Sequence, residues 1–277
     1  MDKVQDLLVK WKFNRFLDNV MGHPTQDKPL YNQEEFAAWM KSLREDPVVD
    51  EVTCYISQSL VVSFQLEKTP SYLKREGIFE LKLMSDDFLL QQISILANRC
   101  YKESAWEGQG KHMMILPLEI SRGHPGQPSV GHQNAIFVDF KSRTFERFEP
   151  YTRVMKDVVS VSDDGTETRY DYNESVDRFC RVVLKKALPF LENFEYISPV
   201  SSCVIGLQKR SHPGFCVVWT CMIAQLRLLF SDYTTSDIIK MTVDYIEAHR
   251  KGQEDPYLDL VKRYASYIQN IKTYLKG

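Results

Sequence analysis

Apolar residues recur at helical spacing near both ends of the chain and at several places between them. The spacing predicts a first helix that ends at Gly22, and it makes Asn32 and Asn173 the N-caps of two later helices. The helices predicted in this way cover residues 1–21, a segment from 32 onward, 85–99, 173–188, 215–230 and two amphipathic stretches within 235–276.

Alternating or β-branched apolar runs predict strands in the middle of the chain. The predicted strands cover residues 48–66 as two strands, 112–120, 136–140 with 144–148, two strands within 158–172, and 194–207. Pro117 lies inside one of these strands, which predicts an edge position or a bulge there because proline has no N–H to donate. Asp164-Gly165 predicts the turn of a second hairpin.

Strands and helices are mixed along the chain, which predicts an α+β fold with a central mixed β-sheet flanked by helices. The 277 residues are enough for one large or two modest domains. Residues 1–105 are predicted to be an N-terminal helical and β region that binds substrate or a partner, and residues 106–277 a second domain.

Charge and hydropathy do not point to nucleic acid or a membrane as a partner. Lys and Arg total 35 and Asp and Glu total 37, so there is no basic field to attract nucleic acid. No apolar run reaches the roughly 20 residues that a bilayer span needs, and the charged N-terminus lacks the order of a signal peptide. The sequence therefore predicts a soluble, intracellular protein.

The six cysteines form no paired framework, and no Cys-x-x-Cys occurs. Five of them are predicted to be small buried hydrophobes: Cys54, Cys100, Cys180, Cys203 and Cys221. Metal-ligand spacing and glycine-rich phosphate loops are also missing from the sequence, so neither a metal nor a cofactor is predicted.

The hairpin within 131–151 carries the first candidate site. If Lys141-Ser142 forms the turn, Phe140 pairs with Arg143 and His132 lies opposite Tyr151. Glu149 then lies on the same face as His132, as a diagonal neighbour at about 7–8 Å between backbones. An imidazole next to a carboxylate at the open end of a hairpin is the orienting part of a nucleophilic triad.

Cys216 is the candidate nucleophile. It follows Gly214-Phe215 and begins an apolar helix, where unpaired backbone amides and the helix dipole favour thiolate over thiol. Cys221 lies more than a turn deeper in the same helix and lacks that environment. Cys216 is therefore the better candidate.

Gln208 lies eight residues before Cys216, and its side-chain amide is a candidate donor to a developing oxyanion. His212, four residues before Cys216, is the alternative base, although no orienting acid is near it in sequence. His124 lies in a Gly- and Pro-rich loop that is expected to border the site.

The order of His132, Glu149, Gln208 and Cys216 resembles clan CE cysteine peptidases, a family that includes adenain and the SUMO-specific proteases. The resemblance covers residues 132–227, and Phe148-Glu149-Pro150 is especially similar to the adenain branch. It implies a papain-like or adenain-like core over residues 106–277 with a Cys-His-Glu triad of Cys216, His132 and Glu149, and with Gln208 as oxyanion donor.

The resemblance implies a protein substrate, either a viral precursor or a ubiquitin-like conjugate, cleaved at a peptide or isopeptide bond. The pattern also resembles proteins of large DNA viruses, which implies the host cytoplasm or the virion as location.

The sequence departs from the family at three positions: Gln133 replaces the tryptophan that follows the histidine, Val217 replaces the glycine after the cysteine, and the spacing of Gln208 is longer. A catalytically inactive binding or scaffold protein of the same fold, or an acyltransferase, therefore remains an alternative.

Overall fold

A computed structural model describes most of the chain. The described residues are 3–26, 39, 43, 52–55, 60–64, 81–83, 87–107, 111–122, 130–151, 158–161, 167–170, 172–202, 205–208, 214–249 and 252–274. The helix predicted from Asn32 lies outside these residues except for Trp39 and Leu43, which are both buried.

The elements follow the predicted order. The helices are α1 (Lys3–Met21), α2 (Asp87–Glu107), α3 (Tyr172–Phe179), a π-helical segment (Cys180–Leu184), α4 (Lys185–Ala187), a 3-10 helix (Pro189–Asn193), α5 (Pro199–Ser202), α6 (Cys216–Leu229), α7 (Thr235–His249) and α8 (Pro256–Tyr274). The strands are β1 (Thr53–Tyr55), β2 (Leu60–Phe64), β3 (Leu81–Leu83), β4 (Met113–Arg122), β5 (Val130–Asp139), β6 (Thr144–Phe148), β7 (Val158–Val161), β8 (Glu167–Tyr170) and β9 (Glu195–Ile197).

Within the described residues, seven strands form one sheet in the order β3-β2-β4-β5-β6-β9, with β1 also paired to β4. The long β4–β5 pair and the β5–β6 hairpin are antiparallel, whereas β1 and β2 run parallel to β4 and β9 runs parallel to β6. The predicted α+β fold with a central mixed sheet flanked by helices is confirmed. Strands β7 and β8 form a separate two-stranded sheet.

Pro117 lies in the centre of the sheet, so its predicted edge position is wrong. Strand β1 pairs with β4 over Met113–Ile115, and β2 pairs with it from Leu118 onward. Pro117 therefore lies at the gap between two partner strands. Among the described residues, none on that side of β4 pairs with Pro117, and β4 pairs with β5 through Pro117 without a bulge.

The two faces of the sheet bury two hydrophobic clusters, because successive side chains of a strand point to opposite sides. Met113, Ile115 and Phe137 face a cluster formed with helices α1, α6, α7 and α8. Met114, Leu116 and the alternate residues of β5 face a cluster formed with α2 and α3. The sheet is therefore covered by helices on both sides.

Strands from both sides of the predicted boundary near residue 105 share this sheet. Strands β1 and β2 pair directly with β4, and α1 buries Phe13, Leu17 and Val20 in the same cluster as α6. The N-terminal strands and α1 therefore belong to one packed unit with the later elements. Substrate or partner binding by residues 1–105 stays a prediction.

Three local predictions are corrected. The strand predicted over 194–207 is limited to β9, because the chain turns at Pro199 into the short helix α5. Asn173 lies inside the first turn of α3, and its side-chain oxygen accepts a hydrogen bond from Arg147. Cys54 and Cys100, predicted to be separate buried residues, form a disulfide that joins β1 to α2.

None of the helices in the described residues is both long and apolar enough to cross a bilayer.

Candidate active site

The β5–β6 hairpin brings His132 and Glu149 together in the predicted register. Asp139 pairs with Thr144 and Ala135 pairs with Phe148, and the same register continued sets His132 opposite Tyr151. The register agrees with the turn at Lys141-Ser142 that the sequence predicts, because that turn pairs Phe140 with Arg143 and every later pair follows from it.

Glu149 holds the His132 ring by a short hydrogen bond. Nε2 of His132 lies 2.7 Å from Oε1 of Glu149, and the backbone N–H of Tyr151 donates to the same oxygen at 2.9 Å. Burial of this fully enclosed carboxyl raises its pKa, but His132 and Arg147 outweigh burial and lower the pKa below the ordinary value. Glu149 is therefore ionised at neutral pH, and a carboxylate only accepts, so Nε2 of His132 carries the proton.

Cys216 begins helix α6, as predicted from the sequence. Gly214 has a φ of 108°, a conformation that glycine adopts without strain, and Phe215 is the N-cap. The first N–H groups of a helix have no intrahelical acceptor and point out of its N-terminal end, where Cys216 is the first residue. The Cys216 side chain lies near enough to His132 to raise the pKa of its imidazole. Since Nε2 is bound to Glu149, Nδ1 is the ring nitrogen left for the sulfur.

Thr220, one turn further along α6, fixes the helix against the strand that carries His132. Its hydroxyl donates to the backbone carbonyl oxygen of Gln133 at 3.2 Å, and its side chain is fully buried. Cys216 and Thr220 are four residues apart and therefore lie on the same side of the helix. This contact ties the first turns of α6 to the strand that carries His132.

The surroundings of His132 favour its protonated form. Burial lowers the pKa of His132, but the carboxylate of Glu149 and the Cys216 side chain outweigh it and raise the pKa to about 10. The rings of Tyr151 and Tyr172 flank the imidazole at centroid distances of 5.4 and 6.3 Å. At neutral pH the site therefore holds an imidazolium beside a cysteine side chain.

Cys216 is the accessible thiol of the site. It keeps 8% of its surface exposed, whereas Cys180 and Cys221, the other free cysteines of the described residues, keep none. Burial raises the pKa of the Cys180 thiol to about 12, so this thiol stays protonated.

Gln208 lies next to the end of the hairpin. Its backbone N–H donates to the carbonyl oxygen of Pro150 at 3.0 Å, and its side chain is fully buried. The segment that contains His212 and the loop that contains His124 lie outside the described residues. The oxyanion role of Gln208 and the alternative base role of His212 stay predictions.

Sequence reasoning missed two residues behind Glu149. Asn134 donates from Nδ2 to Oε2 of Glu149 at 3.0 Å, and Nη1 of Arg147 lies 3.6 Å from the same oxygen. Both side chains are fully buried. The predicted register contained the signal, because it sets Asn134 opposite Glu149 and puts Arg147 on the same inward face.

In the described part of the chain, no group of three or more His, Cys, Asp or Glu side chains is arranged to hold a metal ion.

Comparison with known proteins gives distant similarities. No protein-family model matches the chain. One curated relative, a putative ankyrin repeat protein (L371) of Acanthamoeba polyphaga mimivirus, is 20% identical over 232 residues, which are 78% of this chain and 27% of the relative. The chain thus spans about a quarter of the length of that relative, and a viral source stays a prediction.

Similar solved structures include two bacterial effectors and a SUMO protease. The Chlamydia trachomatis effector ChlaDUB1 is 10% identical, with 100% of this chain and 94% of that chain covered and a TM-score of 0.46. The Legionella pneumophila effector RavZ is 13% identical, with 92% and 72% covered and a TM-score of 0.41. The SUMO protease Ulp1 is 12% identical, with 94% and 95% covered and a TM-score of 0.36. At these TM-scores the similarities assign no activity to this chain.

Proposed function

We propose that the chain is a cysteine peptidase that cleaves peptide or isopeptide bonds, with Cys216 as nucleophile, His132 as acid and base, and Glu149 as the group that orients the imidazole. The observation that carries the proposal is the 2.7 Å bond from His132 to Glu149, with Cys216 near the same ring at the start of a helix. An imidazole oriented by a carboxylate can take the proton of a neighbouring thiol and give it to the leaving amine.

The reaction follows from this arrangement. The thiolate of Cys216 attacks the carbonyl carbon of the scissile bond, and the S–C bond forms as the carbonyl oxygen becomes an oxyanion. The C–N bond then breaks, and the imidazolium of His132 gives its proton to the leaving amine. Water next attacks the thioester, and one of its protons goes to His132. The S–C bond breaks, the acid product leaves, and the thiolate–imidazolium pair is restored.

Two features stabilise the charges that develop. The backbone N–H groups at the start of α6 and the amide of Gln208 are the proposed donors to the oxyanion. Glu149 stays ionised throughout and stabilises the imidazolium, as the buried acid of a triad does. The low exposure of Cys216 excludes most water until a substrate carbonyl is bound.

The proposed substrates are proteins, either a viral precursor or a ubiquitin-like conjugate. The resemblance of His132, Phe148-Glu149-Pro150 and Cys216 to clan CE peptidases supports this class. An intracellular location, in the host cytoplasm or the virion, is part of the same proposal.

Turnover of ubiquitin-, SUMO- and peptide-based fluorogenic substrates tests the function. We expect Cys216→Ala and His132→Ala to abolish turnover, with unchanged circular dichroism. Cys221→Ala, which removes a free thiol from the same helix, is the matched control and keeps turnover. If Cys216→Ala and His132→Ala keep full activity, the assignment is wrong. Transfer of label from acetyl-CoA to a protein, without hydrolysis, indicates an acyltransferase instead.

A further inference from the structure

A chain of buried polar side chains lies behind Glu149, on the side away from His132. Asn134 lies opposite Glu149 in the hairpin register, and its Nδ2 donates to Oε2 of Glu149 at 3.0 Å. Nη1 of Arg147 donates to Oδ1 of Asn134 at 2.8 Å. The amide of Asn134 therefore bridges a guanidinium and a carboxylate.

Helix α3 holds the other side of the guanidinium. Nε and Nη2 of Arg147 donate to Oδ1 of Asp177 at 2.9 and 2.7 Å, and Nη2 also donates to Oδ1 of Asn173 at 2.8 Å. Asp177 in turn accepts hydrogen bonds from Tyr196 and Ser198. Arg147 thus bonds to groups in two directions and has no freedom to rotate without losing several of them.

The chemistry of the donors fixes the direction of each bond. A guanidinium only donates and a carboxylate only accepts. The oxygen of Asn134 must therefore face Arg147, and its NH2 group must face Glu149. This occupies Oε2 of Glu149 and leaves Oε1 for His132 and for the backbone N–H of Tyr151.

We propose that Arg147 is a positioning residue of the active site, which acts through Asn134 to turn Oε1 of Glu149 towards His132. The inference rests on the proposed peptidase function, since it assigns the residue that holds the orienting carboxylate in place. Arg147 touches neither His132 nor Cys216 in any described contact and is therefore not a catalytic residue.

The charges of the cluster agree with this role. Tyr172, Tyr196 and Cys180 also face Arg147, and burial keeps Cys180 neutral at neutral pH. One guanidinium therefore lies between two carboxylates, those of Asp177 and Glu149, at 2.7 and 3.6 Å. Asp177 neutralises the positive charge of Arg147. The negative charge of Glu149 therefore remains to stabilise the imidazolium of His132.

Arg147→Lys and Asn134→Ser test the proposal. The lysine keeps the positive charge but lacks the planar guanidinium that bonds to Asp177 and Asn134 together. The serine is too short to bond to both Arg147 and Glu149. We expect each variant to lower kcat about tenfold to a hundredfold with little change in KM, because a misplaced catalytic group costs rates of this size. The double variant should lose no more than either single variant, because both break the same bridge.

Arg227→Lys is the matched control. Arg227 is also buried, with 3% of its surface exposed, and it belongs to the helix of Cys216. It pairs with Glu146, which directly precedes Arg147 on β6. This substitution should lower stability and leave kcat unchanged. The proposal is overturned if Arg147→Lys keeps the wild-type kcat. It is also overturned if the fold-loss of kcat in the double variant equals the product of the fold-losses in the two single variants.

A second measurement does not depend on turnover. The side-chain proton on Nε2 of His132 should give a low-field resonance in the wild-type protein and in Arg227→Lys. We expect this resonance to shift or vanish in Arg147→Lys and in Asn134→Ser. If the wild-type protein lacks turnover but the resonance changes in this way, the peptidase function fails and the positioning role stands. An unchanged resonance in both folded variants overturns the positioning role.

Discussion

His132 and Glu149 are seventeen residues apart in sequence and meet at 2.7 Å between Nε2 and Oε1 at the open end of one hairpin. Glu149 is fully buried and His132 is 6% exposed, so this bond is shielded from water. A charged pair in such surroundings interacts more strongly than one at the surface. Glu149 therefore holds His132 in its protonated form at neutral pH.

Glu149→Gln should lower kcat about a hundredfold or more, because a neutral amide does not stabilise the imidazolium and allows the wrong ring tautomer. Steady-state kinetics at fixed pH measures the effect. Glu146→Gln is the matched control, since Glu146 is a buried carboxylate on the same strand that bonds to Arg227 on the other face of the sheet. Equal kcat in the two variants would contradict the role of Glu149.

The stability of the protein should depend on the protonation of His132. Its pKa is about 10 in the folded protein and 6.5 ordinarily, so the folded state binds more protons between these values. The stabilisation is fully present below about pH 6.5 and is lost as the pH rises towards about 10. Urea unfolding across this range should show a steeper loss for wild type than for His132→Gln. Equal slopes would show that His132 is not held protonated by its neighbours.

The hairpin and the start of α6 are the parts of the site that the sequence predicts. The turn at Lys141-Ser142 sets the register of β5 and β6, and Gly214 before an apolar run marks the start of the helix. These are local signals, read within about twenty residues. The positions of His132, Glu149 and Cys216 in their elements follow from them.

The contacts behind the site come from segments far apart in sequence, and local patterns do not encode them. Asp177 reaches Arg147 from a helix, Tyr196 reaches Asp177 from a strand, and no periodicity connects the three. Local patterns also do not encode the position of Pro117 in the sheet, which depends on where the pairing of β4 with β1 ends and its pairing with β2 begins. Tertiary pairing decides such positions, which is why the predicted edge strand was wrong.

Thr220→Val should lower kcat several-fold, because it removes the hydroxyl that fixes α6 against β5 and leaves the Gln133 carbonyl oxygen without that donor. Its cost in unfolding free energy should be about 1–3 kcal/mol. Thr242→Val is the matched control, since this buried hydroxyl bonds within α7 to the Ile238 carbonyl oxygen. Unfolding and kinetics are measured on both variants. A similar loss of kcat in both would show that Thr220 has no special role.

The disulfide between Cys54 and Cys100 closes a loop across 46 residues. Removing it by Cys54→Ala with Cys100→Ala should lower the unfolding free energy by about 2–4 kcal/mol. Titration of the unfolded, non-reduced protein should find two thiols fewer than titration after reduction. Six thiols in protein kept under oxidising conditions would contradict the pairing. Disulfides persist in oxidising compartments, so the redox state of this pair reports where the protein resides.

The most direct test of the account is covalent labelling of the wild-type protein with vinyl electrophiles derived from ubiquitin and SUMO, followed by mass-spectrometric mapping of the modified residue. We predict a single adduct on Cys216 that is lost in Cys216→Ala and strongly slowed in His132→Ala. An adduct on another cysteine, labelling that is indifferent to His132, or no labelling of Cys216 by these probes or by a small thiol alkylator would contradict the proposed peptidase.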